Sequence, residues 1–197
     1  MRYRIEFGQS DANRIKAQKF RQRVFRVSET GLDEDKFDKI SDHCLIFDKK
    51  KDDKLVLVFR SRSFSSMKDI LCSYSAQYYD LTTLSGLPFK PMEIGRLCVD
   101  KTAKDPFLLL TAFKYLASLI SSGQRDFIFG CTSFSGANNP RHLASLSSLK
   151  KNQLAGQKLL ITKKSNSILD IKKLIGILVK SEHCSSESPL EDLALFN

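Results

Sequence analysis

One stretch of the chain, residues 92–100, constrains the possible fold more than any other. Its apolar side chains predict a buried strand, yet Glu93 and Arg96 place two opposite charges inside it. After a short polar loop, Pro106 suits the first turn of a helix, and residues 107–120 are apolar on nearly every face. This order predicts that unpaired amide N–H groups at a helix N-terminus lie close to a carboxylate and a guanidinium.

The size and charge of the chain limit its domain organisation and its partners. With 197 residues, 42% of them hydrophobic, the chain can build one well-buried core but is short for two. We therefore predict a single α/β domain over residues 1–197, with a weakly ordered tail at residues 181–197. The formal net charge of +10 predicts attraction to an acidic partner, and charge alone leaves open nucleic acid, anionic lipid and acidic protein.

Cysteine usage and hydropathy indicate a cytoplasmic protein. Five cysteines without regular spacing favour reduced thiols over a disulfide framework. The cysteines and histidines also lack metal-ligand spacing, so no metal is expected. The first residues alternate charged and apolar side chains, which predicts a strand rather than a signal peptide. No apolar run has the length of a membrane span, so any membrane association is expected to be peripheral.

The remaining pattern predicts further helices and strands. Ser10 or Asp11 can cap a first helix, whose apolar stripe is Ile15, Phe20, Val24 and Val27. Its basic residues fit either a solvated face or a docking surface, and they are Arg14, Lys16, Lys19, Arg21, Arg23 and Arg26. Two strands joined as a hairpin are predicted at residues 42–48 and 55–60. Later strands are predicted at residues 126–134 and 158–162, and later helices after residue 140 and over residues 168–178.

An acidic segment separates the first helix from the hairpin. Six carboxylates lie in it, namely Glu29, Asp33, Glu34, Asp35, Asp38 and Asp42. In a basic protein such a segment is either a solvated loop of interchangeable charges or the lining of a site for a cationic substrate. His43, directly after Asp42, could act as a general base beside an orienting carboxylate. A single histidine at the start of a strand more often has a structural role.

Several short motifs occur in a fixed order between residues 21 and 149. They are Arg21 with Phe25, Asp35 with Asp38, Asp42-His43-Leu45, Arg60, Tyr79-Asp80-Leu81, Glu93-Ile94-Gly95-Arg96, Cys98-Val99, and Phe129-Gly130-Cys131-Thr132-Ser133. In their order and spacing the chain resembles the bacterial N-acyltransferases of ornithine lipid synthesis, in the GNAT-like superfamily. It resembles the acyl-homoserine lactone synthases more distantly. The resemblance covers about two-thirds of the chain and leaves the role of the C-terminal third open.

The resemblance implies a fold and a reaction. The expected fold is a single α/β domain with a central mixed, twisted sheet flanked by helices. The expected reaction moves a 3-hydroxy fatty acyl group from the phosphopantetheine of acyl carrier protein to the α-amine of ornithine, giving lyso-ornithine lipid. Leu97 and Tyr79 depart from the family pattern. Residues 100–107 also lack the Arg-rich, Gly-containing phosphate loop of acetyl-coenzyme A enzymes. This absence suits a carrier-protein donor, which brings a single phosphodiester, and no bound cofactor is expected.

The resemblance also assigns roles to individual residues. Glu93 is expected to accept the ammonium proton, directly or through water, and Arg96 to orient Glu93 or to bind the substrate carboxylate. The structural alternative is a buried Glu93–Arg96 salt bridge. The acceptor site is assigned to Asp35 and Asp38, which receive the side-chain ammonium, and to a wall formed by Arg21, Phe25 and Arg60. A structural ion-pair cluster is the alternative for these five residues. The donor site is assigned to Cys98, Val99, Lys101, Lys104 and Ser133.

Three other functions compete with this interpretation. Cys131 or Cys98 could be a nucleophile, but burial in an apolar strand would raise the pKa of either thiol. A basic module that binds nucleic acid or an anionic membrane is a second option, although the aromatic residues occupy core-like positions and tryptophan is absent. Homoserine lactone synthesis is the third option. Those synthases usually have a tryptophan near the first acidic segment, and its absence here argues against this option. The basic first helix fits an acidic carrier protein and an anionic membrane surface better than nucleic acid.

Overall fold

The computed structural model describes residues 2–25, 30–131 and 162–164. The strands are β1 (Tyr3–Gly8), β2 (Asp42–Asp48), β3 (Lys54–Ser63), β4 (Tyr79–Asp80), β5 (Pro91–Val99), β6 (Phe127–Phe129) and β7 (Thr162–Lys163), and the helices are α1 (Asp11–Phe25) and α2 (Pro106–Ser121). The predicted helices after residue 140 and over residues 168–178, the tail, and Ser133 all lie outside the described residues.

Five strands form one mixed sheet in the order β1-β2-β3-β5-β6. The first three pairings are antiparallel, and β5 pairs with β6 in parallel. The predicted hairpin is confirmed as β2 and β3, which are joined through Asp52 and Asp53, both at positive φ. A parallel pair needs a crossover connection, and α2 supplies it between β5 and β6. The expected α/β class with a mixed sheet is confirmed.

The sheet is buried on both faces, and each face packs against a different helix. In β2 the side chains of Cys44 and Ile46 pack with the buried side of α2, whereas Leu45 and Phe47 pack with α1. This alternation follows from the two-residue period of a strand. Because helices cover both faces, β2 is apolar throughout its middle rather than on one face only.

The first helix buries part of its predicted apolar stripe, since Phe20 and Val24 pack in the core and Val27 lies outside the described residues. Its buried residues are Ala17, Gln18, Phe20 and Arg21, while Ile15 is exposed. The predicted apolar stripe was therefore wrong at Ile15, and Arg21 belongs to neither a solvated face nor a docking surface, because its side chain is buried. The physical reason is that buried carboxylates on a neighbouring loop pair with the Arg21 guanidinium, which lets a charged side chain enter the core.

The second helix begins and ends as its sequence predicts. Asp105 is the N-cap, because its carboxylate accepts a hydrogen bond of 2.9 Å from the Phe107 amide, and Pro106 follows at the first helical position. Gly123 adopts a φ of +70° just after the helix, where glycine is favoured. Of the helices described, neither combines the length and apolarity needed to cross a bilayer.

A bulge in β5 changes which face its side chains point to. Arg60 pairs with Gly95 and Val58 pairs with Cys98, so two residues of β5 oppose one residue of β3. Arg96 lies in this bulge with a φ of +55°, a left-handed conformation that costs a non-glycine residue of the order of 1 kcal/mol or more. Beyond the bulge, Cys98 packs on the α1 side of the sheet.

The parallel pair of β5 and β6 is short. Its register runs from Pro91 opposite Phe127 to Glu93 opposite Phe129. Beyond Glu93, the edge of β5 that faces away from β3 has no paired strand among the described residues. Gly130 lies just past the last pair. A Cβ atom at Gly130 would lie 2.2 Å from the carbonyl oxygen of Ile94. The backbone after β6 can therefore approach β5 this closely only because Gly130 has no side chain.

This close approach predicts the effect of adding one methyl group. We expect Gly130→Ala to lower the free energy of unfolding by about 1–3 kcal/mol, because the backbone of β5 or β6 must move. Gly86→Ala is the matched control, since a Cβ there meets nothing within 4 Å. Urea denaturation of both variants measures the difference. Equal stability of the two variants would contradict the packing described at the end of β6.

Candidate acceptor site and the charged cluster

Three arginines and three aspartates form one cluster on the α1 side of the sheet. The arginines come from α1, β3 and β5, and the aspartates come from the loop that precedes β2; the six residues are Arg21, Arg60, Arg96, Asp33, Asp35 and Asp38. Five of the six are residues that the sequence assigned to the site. The arrangement is also the ion-pair cluster that the sequence offered as their structural alternative.

Asp38 lies at the centre of the cluster, with 1% of its side chain exposed. Its Oδ2 accepts hydrogen bonds from Arg21 Nη2 at 2.8 Å and Gln18 Nε2 at 3.0 Å, and its Oδ1 accepts one from Arg60 Nη1 at 2.7 Å. The amide of Asp35 also donates to Oδ2. Burial by itself would raise the pKa of Asp38, but Gln18 and the two guanidiniums outweigh it and lower that pKa to about 2.

These contacts leave Asp38 little capacity to bind anything else. Its carboxylate is enclosed and already has four donors, so the geometry favours a structural role for it rather than contact with a substrate ammonium. Arg21 is equally enclosed, because its Nε donates to Asp33 Oδ2 at 2.9 Å and its Nη2 to the Asp33 carbonyl at 2.6 Å. Together they fix the acidic loop against α1.

Asp35 and Arg96 form the open end of the cluster. Their side chains are 20% and 25% exposed, and Arg96 Nη2 donates to Asp35 Oδ2 at 3.1 Å. Arg60 Nη1 donates to Asp35 Oδ1 at 2.5 Å. Burial tends to raise the pKa of Asp35, but Arg60 and Arg96 outweigh it and lower the pKa. The Nε of Arg96 is buried and has no partner within the part of the chain that the structure describes.

The ring of Tyr74 lies beside the buried guanidinium of Arg60 and the partly exposed one of Arg96. The Cζ atoms of Arg60 and Arg96 lie 5.7 Å and 5.8 Å from its centroid, within the range of a cation–π interaction. Burial and a hydrogen bond with the hydroxyl of Tyr78 raise the pKa of Tyr74 to about 12, so the phenol is neutral near pH 7. The open end of the cluster therefore combines a carboxylate, a guanidinium and an aromatic wall.

Glu93 and Arg96 have separate partners, so the salt bridge between them that was the structural alternative is not formed. Glu93 Oε1 accepts hydrogen bonds from the amide and the hydroxyl of Ser75 at 2.7 and 2.6 Å, and its Oε2 accepts one from the Tyr74 amide at 3.0 Å. The physical reason is that each side chain has other partners close by: Arg96 donates to Asp35, whereas Glu93 accepts from Ser75 and Tyr74. Glu93 consequently anchors the loop that carries Tyr74.

His43 is fully buried at the start of β2 and does not fit the role of a general base. Its Nε2 lies 3.0 Å from the carbonyl oxygen of Asp38, and because a carbonyl can only accept, Nε2 carries the proton. Burial lowers the pKa of His43, which keeps the ring neutral. The structural alternative describes this residue better.

The residues assigned to the donor occupy two different environments. Cys98 is buried against α1, and burial raises the pKa of its thiol to about 12; burial also raises the pKa of Cys131. Both thiols are therefore poor nucleophiles near pH 7. Val99 packs against the α2 core. Lys101 and Lys104 are exposed on the loop before α2, and the carboxylate of Asp105 caps that helix.

Some residues at the site were missed from the sequence, and one assigned residue lies at its margin. Phe25 is 44% exposed at the end of α1. Gln18, Tyr74 and Ser75 contact the cluster or its anchor but carried no motif, since their role depends on loop placement. Asp33 could have been chosen from the acidic segment. Among the described residues, no group of three or more His, Cys, Asp or Glu side chains is arranged to hold a metal ion.

Comparisons with known proteins point to one superfamily. Residues 16–112 match the family model of an acetyltransferase (GNAT) domain. The chain is 29% identical over 144 residues to an L-ornithine N(alpha)-acyltransferase from Rhodobacter capsulatus, covering 65% of this chain and 55% of the relative. It is 27% identical over 158 residues to an L-ornithine N(alpha)-acyltransferase from Brucella abortus, covering 77% of this chain and 53% of the relative. The chain thus spans about half the length of these curated relatives, and the resemblance seen in the motifs is confirmed.

The enclosure of Asp38 predicts a large loss of stability when its charge is removed. We expect Asp38→Asn to lower the free energy of unfolding by about 3–5 kcal/mol, because two buried guanidiniums lose a shared counter-ion. Asp11→Asn is the matched control: Asp11 pairs with Arg14 at the surface and is 81% exposed, so its loss should cost at most about 0.5 kcal/mol. Denaturant unfolding measures both. A small effect at Asp38 would mean that the cluster is solvated.

His43 predicts a second, pH-dependent effect on stability. Its pKa is lower in the folded protein than the unfolded value of about 6.5, so the unfolded chain binds the proton more readily. We therefore expect the stability contributed by neutral His43 to be complete above that pH and to be lost progressively as the pH falls below it. Urea denaturation from pH 8 to pH 5 measures this. In His43→Gln, which retains an amide donor, this part of the pH dependence should disappear, and its persistence would assign the effect to other groups.

Proposed function

Because residues 16–112 match the family model of an acetyltransferase (GNAT) domain, we propose that the chain is an N-acyltransferase that moves a 3-hydroxy fatty acyl group from acyl carrier protein to the α-amine of ornithine, giving lyso-ornithine lipid. The observation that carries the proposal is the open end of the charged cluster, where a carboxylate and a guanidinium lie next to the bulge of β5. The printed names of the two relatives support ornithine as the acceptor.

The acceptor would bind where Asp35 and Arg96 are exposed. An α,δ-diamino acid carries one carboxylate and two ammonium groups, so it needs one cationic and one anionic contact. In this proposal the guanidinium of Arg96 binds the carboxylate, and Asp35 receives the side-chain ammonium. Asp38, Arg21 and Arg60 hold those two residues in place from the interior rather than touching the substrate.

The donor would lie along β5 beyond its pairing with β6. Among the described residues that edge has no partner strand, so its amide and carbonyl groups are available to the amides of a pantetheine arm. Backbone N–H groups there would also stabilise the oxyanion that forms when the thioester carbonyl is attacked. Cys98 and Val99 support this edge from the two sides of the sheet, and Ser133 is assigned to the same donor site.

The donor's charged parts match the basic character of the chain. Lys101 and Lys104 are proposed to contact the single phosphodiester of the phosphopantetheine arm. Acyl carrier protein is acidic, and the formal net charge of +10 favours its approach electrostatically. No bound cofactor is required, because the acyl group arrives on its carrier. The same charge favours a peripheral position at the anionic inner face of the membrane, where the product belongs.

The proton step is assigned to Glu93. The attacking amine must lose a proton, and Oε2 of Glu93 keeps acceptor capacity because it receives one hydrogen bond whereas Oε1 receives two. Transfer through a water molecule suits a carboxylate that is only 7% exposed. Direct attack needs no covalent enzyme intermediate, which agrees with thiols whose pKa values are raised.

Lipid mass spectrometry in a host without aminolipids tests the proposed reaction. Expression of the chain should yield a new lyso-ornithine lipid. A lactone in the medium would instead indicate homoserine lactone synthesis, and a steep salt dependence of DNA affinity without any new lipid would favour a binding module.

Arg96→Ala tests the acceptor site in an assay with purified components, in which acylated acyl carrier protein and ornithine are mixed with the protein and the product is measured by mass spectrometry. We expect kcat/KM for ornithine to fall by roughly 10- to 100-fold, the effect of losing a charged hydrogen bond. Arg62→Ala is the matched control, since Arg62 lies on the adjacent strand and donates to the carbonyl of Cys72. Glu93→Gln should lower kcat in protein that circular dichroism shows to be folded at the assay temperature, although its melting temperature falls because the amide cannot accept every hydrogen bond from Ser75 and Tyr74. If kcat falls only as far as the folded fraction does, Glu93 is an anchor and not the base.

A further inference from the structure

The outer face of α2 is apolar and exposed along its whole length. We define this outer face as Phe107, Leu110, Phe113, Ala117 and Ile120, which recur at helical spacing. Phe107 and Phe113 are 65% and 53% exposed, and Leu110 and Ile120 are more than 40% exposed. A solvated helix would carry polar residues at these positions.

The fold does not need these side chains. The opposite side of α2 already packs on the sheet through Leu108, Ala112 and Leu116. The segment from Pro106 to Ser121 contains no acid and one charged residue, Lys114. A contiguous apolar surface of this kind marks a site of contact with another apolar phase or molecule.

The charges around the outer face are positive. Lys101, Lys104 and Lys114 are exposed close to it. The two neighbouring carboxylates are already paired, because Asp100 contacts the ammonium of Lys54 at 2.8 Å and Asp105 contacts Arg2 and accepts a hydrogen bond from the Tyr3 hydroxyl at 2.6 Å. An apolar stripe with uncompensated lysines beside it is typical of a surface that enters an anionic bilayer interface.

We propose that the outer face of α2 docks on an anionic phospholipid bilayer, with the two phenyl rings below the headgroups and the lysines at the phosphates. The proposal rests on the proposed function, whose lipid product must reach a membrane, and names the surface that meets it. Charge disfavours the other occupants. A second copy carries a net charge of +10 and would be repelled by the lysines of this surface. The segment 168–178 of this chain contains two lysines and one aspartate, so it is also slightly positive.

A single introduced tryptophan tests the proposal, because the chain contains none. Phe113→Trp places the probe on the outer face of α2, and Ile40→Trp places a matched probe at a residue that is 48% exposed outside α2. Both proteins are mixed with vesicles of phosphatidylcholine and phosphatidylglycerol, without substrates. We expect the emission at position 113 to shift to the blue and to become shielded from acrylamide, while the probe at position 40 stays in water.

Three further variants measure the energetics of docking. Phe107→Ser and Leu110→Gln should each weaken partition into the vesicles, the former roughly tenfold, because an apolar side chain no longer leaves water. Lys114→Glu should weaken it more than about fivefold and should reduce its salt dependence. Circular dichroism of each variant checks that it is folded.

Four results would overturn the proposal. Emission from position 113 that is blue-shifted and shielded before vesicles are added would show that the chain itself covers α2. A blue shift that grows with protein concentration would show a second copy. Vesicle binding unchanged by Phe107→Ser and Leu110→Gln would place the membrane contact elsewhere, and no vesicle binding would exclude it. Acyl transfer is measured separately in vesicle-free solution, so failure of docking and failure of the proposed reaction are distinguishable.

Discussion

The buried carboxylate of Asp38 is the interaction on which the arrangement of the α1 face depends. It joins the guanidinium of Arg21 on α1 to that of Arg60 on β3, and through the Asp35 amide it also fixes the acidic loop. Buried charges cost desolvation energy, so such a cluster is stable only when each member has partners. The carboxylate and guanidinium at the edge of the cluster, those of Asp35 and Arg96, are the members that solvent partly reaches.

The bulge in β5 connects this cluster to the rest of the sheet. Without an extra residue opposite β3, the side chains of Glu93 and Arg96 would point to opposite faces, as the two-residue period requires. With it, Arg96 reaches Asp35 while Glu93 binds the loop that carries Tyr74 over the same guanidinium. The left-handed backbone conformation of Arg96 costs free energy, and strained residues of this kind tend to occur at functional sites.

The two faces of the sheet have different chemistry, and the proposed function uses both. The charged cluster lies on the α1 side, where a water-soluble amino acid can approach. The apolar outer face of α2 lies on the other side of the sheet, where it would meet lipid. The edge of β5 lies between them, so an acyl chain bound there would have the water-soluble acceptor on one side and the bilayer on the other.

The sequence by itself determined β1, β2, β3 and β5, the two described helices and most members of the charged cluster, because hydrophobic period, proline, glycine and capping residues act locally. It could not show that Arg21 is buried, that Glu93 binds Ser75 instead of Arg96, or that Ile15 is exposed. Those outcomes depend on the bulge and on loops distant in sequence. Only the tertiary structure decided which charges share a face, since pairing energy depends on distance in space and the chain order does not contain it.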